Sequence, residues 1–148
     1  MSTLERAIEI AARAHAGQTD KAGAPYILHP LRLMLSLRGT HERMAAVLHD
    51  VVEDTPLTFE DLAREGFPAP VLAAVRALTK LPGEDRIAAA HRAAADPVAR
   101  AVKLADVEDN MDLSRIAAPT DKDRARLLQY AQVKAILLAA QAADRGAT

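Results

Sequence analysis

The sequence predicts an all-α protein folded as a single-domain helical bundle over residues 1–148. Half of the residues are apolar, alanine is abundant and only four residues are aromatic, a composition that suits closely packed helices better than a β-sandwich or barrel. Apolar residues recur at helical spacing between glycine and proline breaks, and no segment alternates as a strand does. A chain of 148 residues is typical of one domain with its own hydrophobic core.

Composition also excludes several classes of function. The formal net charge of −1 provides no positive field for a nucleic acid or an anionic membrane, and the absence of cysteine excludes disulfides and thiolate chemistry. The N-terminal residues resemble a helix start rather than a signal peptide, and no apolar run approaches membrane-spanning length. We therefore expect a cytoplasmic protein without a nucleic-acid or membrane partner. The sequence identifies no interface, so assembly into a homo-oligomer stays open.

The first predicted helix begins near the N-terminus and ends at Gly17. Ser2 and Glu5 have the spacing of a capping box, and glycine commonly ends a helix. His15 lies on the apolar face of this helix, where a histidine usually belongs to the core. It would act as a ligand only if its ring faced a site.

A loop is predicted over residues 18–30, with Lys21 in its polar part, where a cation could meet an anionic ligand. His29 directly precedes Pro30, and proline is favoured at the first position of a helix. The residue before proline also has a restricted backbone, so we expect His29 to be held at the start of a helix over residues 30–37. A fixed imidazole there is a reasonable metal ligand.

The central helix, predicted over residues 42–52, ends in a histidine and three carboxylates: His49, Asp50, Glu53 and Asp54. The preceding residues are apolar and indicate burial, and an unpaired buried carboxylate costs several kcal/mol. On one continuous helix, His49 and Glu53 stand at i and i+4, as do Asp50 and Asp54. This spacing predicts a pair of ligands followed one turn later by a pair of acids, with a divalent metal as the neutralising charge.

The second half of the chain contains further helix signals. Thr58 and Asp61 predict a capped short helix that closes at Gly66. The remaining predicted helical stretches cover residues 71–81, 84–96, 98–115 and 120–143, the last being a C-terminal scaffold helix.

Asp106 is a further acidic position that needs a partner. It follows Val102 at a spacing of four residues and has apolar neighbours, and Asn110 lies four residues further on the same stripe. Pairing with Lys103 or Arg100 would be one explanation of this carboxylate. Because the rest of the chain already predicts a metal site, we favour Asp106 as a ligand.

The predicted ligands are two imidazoles and two carboxylates, from His29, His49, Asp50 and Asp106. This set suits Mn²⁺, Fe²⁺, Co²⁺, Zn²⁺ or Mg²⁺. Such an ion increases the acidity of water and polarises a phosphoryl group. Glu53 and Asp54 lie within a turn of the ligands and can orient or deprotonate the water, while Lys21 can balance phosphate charge. The inferred reaction class is metal-assisted hydrolysis of a phosphoester or pyrophosphate.

The His49-Asp50 pair, with an upstream histidine and a downstream aspartate, resembles the HD superfamily of metal-dependent phosphohydrolases. Longer motifs resemble the hydrolase domain of the RelA/SpoT family and the free-standing small alarmone hydrolases. They cover roughly residues 4–115 in the family's order: Ala-Arg-Ala-His15-Ala-Gly-Gln, Lys21-Ala-Gly-Ala-Pro-Tyr-Ile-Leu-His29-Pro, Leu48-His49-Asp50-Val-Val-Glu53-Asp54-Thr, Leu78-Thr-Lys-Leu and Val102-Lys-Leu-Ala-Asp106-Val-Glu-Asp-Asn110-Met.

This resemblance implies an all-α bundle of the HD-domain type and removal of the 3′-pyrophosphate from guanosine tetra- or pentaphosphate, giving GDP or GTP. It implies Mn²⁺ as the typical metal, bound by the four ligands named above, and the acid pair as the catalytic residues. It also matches Lys21 and Asn110 to positions near the substrate.

The chain departs from the family pattern at two places near the implied substrate. Asp20 stands where the family usually has an arginine that helps to hold the guanine base, and Val107-Glu108-Asp109 replaces a basic residue, an apolar residue and then histidine or tyrosine. These changes spare the metal ligands and the acid pair. They leave open an HD enzyme acting on another nucleotide, such as NADPH or a nucleoside phosphate, and a non-catalytic nucleotide or metal sensor.

Overall fold

The computed structural model describes residues 2–147, and over that range the prediction of an all-α fold is confirmed: the described residues form nine helices and no strand. No helix in this range combines the length and the hydropathy that a membrane span requires. The helices are α1 (Leu4–Ala14), α2 (Leu28–Ser36), α3 (Thr40–Leu48), α4 (Val51–Asp54), α5 (Phe59–Arg64), α6 (Ala69–Leu78), α7 (Arg86–Ala94), α8 (Pro97–Met111) and α9 (Asp121–Ala147).

Helix α3 is the centre of the fold. Every residue from 44 to 48 is buried, and the helix packs against α1, α2, α6 and α8. Ala45 and Ala46 let neighbouring helices approach closely, and Val47 and Leu48 fill the core with no exposed surface. The C-terminal end of α3 therefore lies deep in the bundle, between α2 and α8.

A second apolar cluster holds α7, α8 and α9 together. Its fully or almost fully buried members are Ala90, Ala94, Val107, Val133 and Leu137. Because α8 contacts α2, α3 and α6 with one part of its surface and α7 and α9 with another, it joins the two clusters. Helix α9 is consequently attached to the bundle through α7 and α8. It continues to Ala147 rather than ending at residue 143.

Two predicted helix starts are wrong. The cap of α1 is Thr3, whose Oγ1 accepts a hydrogen bond from Arg6 N at 3.1 Å, whereas the N–H of Ser2 donates to the carbonyl of Gly66. Helix α2 begins two residues before Pro30, so that His29 lies inside its first turn. Proline is tolerated anywhere in the first turn, where backbone N–H groups have no helical acceptor, and its presence therefore did not define the first residue.

The prediction of one continuous helix over residues 42–52 is also wrong, because the helix is interrupted at His49 and Asp50. The His49 ring Nδ1 donates to the carbonyl of Ala46 at 2.6 Å, and Asp50 adopts φ −103° and ψ 0° before α4 begins. On a regular helix, side chains at i and i+1 point to different faces. The break removes that restriction, and His49 Nε2 lies 3.0 Å from Asp50 Oδ2.

The ion pair between Arg92 and Glu84 holds the loop before α7. The low pKa of its carboxyl group leads to a prediction about how stability depends on pH. Arg92 Nε and Nη2 donate to the Glu84 carboxylate at 2.9 and 2.8 Å, and Nη2 also donates to the Thr79 carbonyl at 2.7 Å. The hydrogen bonds from Arg92 and then from Leu81 N lower the pKa of Glu84 to about 2. A depressed carboxyl pKa stabilises the fold above the ordinary pKa of glutamate, and this contribution disappears as pH falls toward 2.

We therefore expect Glu84→Gln to lower the free energy of unfolding at pH 7, with the deficit shrinking between pH 4.5 and pH 2. Urea unfolding at several pH values measures this difference. The control is Glu60→Gln, at an exposed glutamate of α5. A deficit for Glu84→Gln that is independent of pH would contradict the assignment.

Candidate metal centre

Three predicted ligands converge between α2, α3 and α8. His29 comes from the first turn of α2, His49 from the residue that ends α3, and Asp106 from the middle of α8. Their ligand atoms all lie within 4.8 Å of one another, and the residues are only 6%, 4% and 7% exposed. The sequence separates these residues by up to 77 positions, and the packing of α2 and α8 against α3 brings them together.

Both imidazoles have Nδ1 engaged and Nε2 directed to the centre. His49 Nδ1 donates to the Ala46 carbonyl, and His29 Nδ1 lies 2.6 Å from Asp109 Oδ2. On the other side of each ring, His29 Nε2 lies 2.8 Å from Asp106 Oδ1, and His49 Nε2 lies 3.7 Å from the same oxygen. A hydrogen bond that holds one ring nitrogen leaves the other available as a metal ligand.

Asp106 is a buried carboxylate that its neighbours keep ionised. Burial alone would raise its pKa, but the charge of Lys103 and then the two neighbouring histidines hold the pKa of Asp106 well below its ordinary value. Lys103 Nζ lies 3.0 Å from Oδ2, and Asn110 Nδ2 donates to Oδ1 at 3.1 Å. The ion pair with Lys103, which is the other explanation of the Asp106 carboxylate, is thus present in the structure. It engages Oδ2 and leaves Oδ1 directed at the histidines.

Asp50 lies beside this group but outside its closest three members. Its Oδ2 is 3.0 Å from His49 Nε2 and also accepts a hydrogen bond from the Tyr26 hydroxyl. Burial, and then the charge of Asp50, raise the pKa of Tyr26, so the phenol keeps its proton and donates. Tyr26 thus orients the fourth predicted ligand.

The donor set fits a divalent cation. His49 Nε2 is buried and makes no well-directed hydrogen bond within residues 2–147, although the carboxylates of Asp50 and Asp106 are nearby. Positive charge has to lie among these atoms, either as a proton on Nε2 or as a metal ion. Imidazole and carboxylate donors suit borderline and hard divalent ions.

The acid pair Glu53 and Asp54 lies on α4, one turn beyond the break. Both residues are exposed, and neither lines the cavity beside the metal centre. Partial burial, followed by the charges of Asp50 and Asp54, raises the pKa of Glu53. Partial burial and the charge of Asp50 likewise raise the pKa of Asp54. Carboxylates shifted in this direction hold a proton more readily than ordinary ones and are suited to proton transfer.

A cavity of about 420 Å³ opens beside the centre and is lined by residues of the 18–27 loop, α2, α8, residues 112–116 and the start of α9. Lys21 and Asn110, the predicted substrate residues, both line it. Lys21 Nζ lies 3.5 Å from Asp123 Oδ1, so this cation is partly balanced within the chain. The other cations on the wall are Arg32, Arg115 and Arg126.

Asp20, one of the departures from the family pattern, has a structural role. Its Oδ1 accepts hydrogen bonds from the backbone N–H groups of Ala22 and Ala24, both at 2.9 Å, and closes a tight loop with Gly23 at φ 84°. This conformation presents Lys21 at the cavity wall. The carboxylate is thus largely occupied by its own loop.

His15 is buried but is not part of the donor group. Its Nδ1 lies 2.9 Å from Gln18 Oε1, and its ring centroid lies 4.8 Å from that of Tyr26. The side chain therefore packs behind Tyr26, as expected of a core histidine, and the partner of its Nδ1 is a side chain.

Sequence reasoning assigned no role to Asp109, Tyr26, Arg32 or Arg126, all of which line the cavity. The position of Tyr26 could have indicated a role, because it lies three residues before His29 in the motif that runs from Lys21 to Pro30. Arg126 had none, because it belongs to a helix that the sequence predicts only as scaffold.

The HD domain family matches residues 7–145. A GTP pyrophosphokinase of Streptomyces coelicolor is 41% identical over 125 residues, which are 76% of this chain and 15% of that protein. A guanosine-3′,5′-bis(diphosphate) 3′-pyrophosphohydrolase of Aquifex aeolicus is 42% identical over 82 residues, 53% of this chain and 12% of that protein. The chain thus spans only a small part of these curated relatives.

A solved structure is similar over nearly the whole fold. It is described as a metazoan ortholog of SpoT that hydrolyses ppGpp and plays a role in starvation responses. The TM-score is 0.78 at 26% identity, and the match covers 93% of this chain and 86% of the other.

Proposed function

The chain belongs to the HD domain family, and from that premise we propose that it is a metal-dependent pyrophosphohydrolase that converts (p)ppGpp into GDP or GTP and pyrophosphate. The observation that carries the proposal is the buried group of His29, His49 and Asp106 at the edge of a cavity of about 420 Å³, a size in the range of small-molecule sites. The names of the relatives and the activity of the structural neighbour support this substrate.

We propose that His29, His49, Asp50 and Asp106 hold the metal, and that Mn²⁺ is the ion, acting in the cytoplasm. The two-imidazole, two-carboxylate set suits this ion, and the resemblance to the alarmone hydrolases favours it. When bound, such an ion polarises the phosphoryl group and increases the acidity of water. Tyr26 holds Asp50 by its hydroxyl, and Lys103 and Asn110 hold Asp106, so the ligands are oriented before substrate arrives.

In the proposed reaction, water attacks the phosphorus joined to the 3′ oxygen of the ribose. The bond between that phosphorus and the 3′ oxygen breaks, so the phosphorus keeps the water oxygen and is released as pyrophosphate, while the 3′ oxygen leaves as part of GDP or GTP. The acid pair of Glu53 and Asp54 receives the proton of the attacking water and returns a proton to the 3′ oxygen, which becomes a hydroxyl. The raised pKa values of both carboxyls favour this transfer.

We propose that Arg126 binds a phosphate group of the substrate. It projects from α9 onto the cavity wall and, within residues 2–147, has no carboxylate partner. The neighbouring cations Arg32 and Arg115 are both engaged by Asp109. A free guanidinium suits a phosphate because it can donate two parallel hydrogen bonds.

We expect Arg126→Ala to raise KM roughly 10–150-fold with little change in kcat, since one charge-assisted hydrogen bond is worth ~1.5–3 kcal/mol. Steady-state kinetics with ppGpp measures the effect. The matched control is Arg124→Ala, at an exposed arginine that bonds the Pro119 carbonyl and does not line the cavity. An unchanged KM for Arg126→Ala would remove Arg126 from the substrate site.

A second candidate function is hydrolysis of another nucleotide, such as NADPH or a nucleoside phosphate. The observation that favours it is the charge of the cavity wall. Asp109, Asp112 and Asp123 line it, and all three balance cations that would otherwise face a phosphate-rich substrate. Such a cavity suits a less highly charged substrate.

Product analysis separates these functions. The Mn²⁺-loaded protein is mixed with ppGpp, NADPH and a panel of nucleotides, with Asp50→Ala as the control. GDP and pyrophosphate formed from ppGpp, and absent in the control, would support the alarmone hydrolase. Phosphate released only from another nucleotide would support the second candidate. Bound metal with no turnover of any substrate would contradict both and favour a sensor.

A further inference from the structure

Asp109 supports His29 from the side of the ring opposite the metal centre. Its Oδ2 lies 2.6 Å from His29 Nδ1, while Asp106 Oδ1 lies 2.8 Å from His29 Nε2. The two aspartates are three residues apart on α8 and therefore share one face of the helix. One helix thus places a carboxylate at each nitrogen of the same imidazole.

Asp109 is itself held in place by two arginines. Arg32 Nε donates to its Oδ1 at 2.8 Å and Arg32 Nη2 donates to its Oδ2 at 3.0 Å, in a bidentate pair between α2 and α8. Arg115 Nη2 lies 3.3 Å from Oδ1 and donates to the Asp109 carbonyl at 3.0 Å. The Asp109 side chain is only 13% exposed. These contacts balance its charge and restrict its rotation.

We infer that Asp109 is a positioning residue for the metal, one that fixes the proton of His29 on Nδ1 and so turns the Nε2 lone pair toward His49 and Asp106. The inference rests on the proposed function in taking His29 as a metal ligand. A carboxylate behind a ligating histidine fixes both its tautomer and its ring orientation. Asp109 is thus more than a departure from the family pattern.

The test compares four variants of the full chain. Asp109→Ala removes the acceptor and is expected to weaken Mn²⁺ binding about 10–100-fold, the usual effect of losing such a partner. Asp109→Asn keeps an oxygen that can accept the Nδ1 proton and is expected to lose less. Arg32→Gln frees Asp109 and is expected to give an intermediate loss. Asp112→Asn is the control, because Asp112 lines the same cavity and pairs with Arg115 but does not contact His29.

Three measurements are made without nucleotide. Calorimetric titration gives the Mn²⁺ dissociation constant, and circular dichroism confirms that each variant is folded. Nitrogen-15 chemical shifts of the His29 ring in the Zn²⁺-loaded protein report which nitrogen carries the proton. We expect protonated Nδ1 in the wild type and in Asp112→Asn, and altered ring shifts in Asp109→Ala. A purely structural role would leave those shifts unchanged.

The inference is overturned if Asp109→Ala is folded and binds Mn²⁺ as the wild type does. If the alanine variant does not fold, the same result for both Asp109→Asn and Arg32→Gln overturns the inference. It is also overturned if Asp112→Asn loses as much affinity as Asp109→Ala, since the cause would then be the general charge of the cavity. A wild type that binds no divalent metal would instead refute the proposed function itself. Failure on the substrate panel alone does not affect this test.

Discussion

Replacing Asp106 with asparagine is expected to abolish Mn²⁺ binding and with it the release of pyrophosphate from ppGpp. Asp106 Oδ1 lies close to both imidazole Nε2 atoms, 2.8 Å from that of His29 and 3.7 Å from that of His49, and the low pKa of Asp106 keeps it charged. A neutral amide removes this charge and leaves the Lys103 ammonium without its partner. Loss of a metal contribution of ~4 kcal/mol corresponds to a fall of roughly 10³-fold in kcat/KM.

Calorimetric titration with Mn²⁺ and kinetics with ppGpp measure this prediction. The control is Asp121→Asn, at a fully exposed aspartate of α9 that changes the net charge by the same amount. Thermal melts of the metal-free proteins separate a lost ligand from a lost fold. Asp106→Asn that is folded and binds Mn²⁺ with wild-type affinity would exclude Asp106 as a ligand.

Replacing the acid pair is expected to leave metal binding unchanged and to lower turnover. We expect Glu53→Gln combined with Asp54→Asn to keep the metal and to lose ~10²–10⁴-fold in kcat, the usual contribution of general acid–base catalysis. Both side chains lie beyond the group of ligand atoms, on α4. Metal affinity and turnover are therefore expected to separate in this variant, whereas they fall together in Asp106→Asn.

The same double variant makes a prediction about stability. A carboxyl pKa raised by folding means that the charged form destabilises the fold at neutral pH, and protonation relieves the destabilisation as pH falls through the raised pKa. The metal-free double variant should thus unfold at a higher temperature than the wild type at pH 7, with the difference vanishing in acid. Glu60→Gln serves as the control.

Unchanged turnover in the double variant would exclude the acid pair from catalysis.

Much of the fold could be predicted because its signals are local. Glycine, proline and capping residues act within one turn of a helix, and the capping box of Thr58 with Asp61 is confirmed. The breakdown of the 42–52 helix could not be predicted in this way. It accompanies a hydrogen bond from the His49 ring to the Ala46 carbonyl. In a continuous helix that carbonyl would accept from a backbone N–H instead.

Part of the candidate site was also visible in the sequence. His49 and Asp106 follow apolar residues, and a charge in such a neighbourhood needs a partner. The pattern could not reveal which atoms face each other, as Asp50 and Asp109 illustrate. Asp50 accepts a hydrogen bond from Tyr26 as well as lying beside His49, and Asp109 contacts a histidine 80 positions away.

The sequence by itself determined the all-α class, the main helical segments and the residue types from which the candidate metal centre is built, because helical periodicity and the cost of buried charge are properties of short stretches. Only the tertiary structure decided which nitrogen of each histidine faces the centre, which carboxylate supports His29 from behind, and that α9 brings Arg126 to the cavity. These arrangements depend on how α2, α8 and α9 pack, and contacts between residues distant in sequence leave no periodic pattern in the chain.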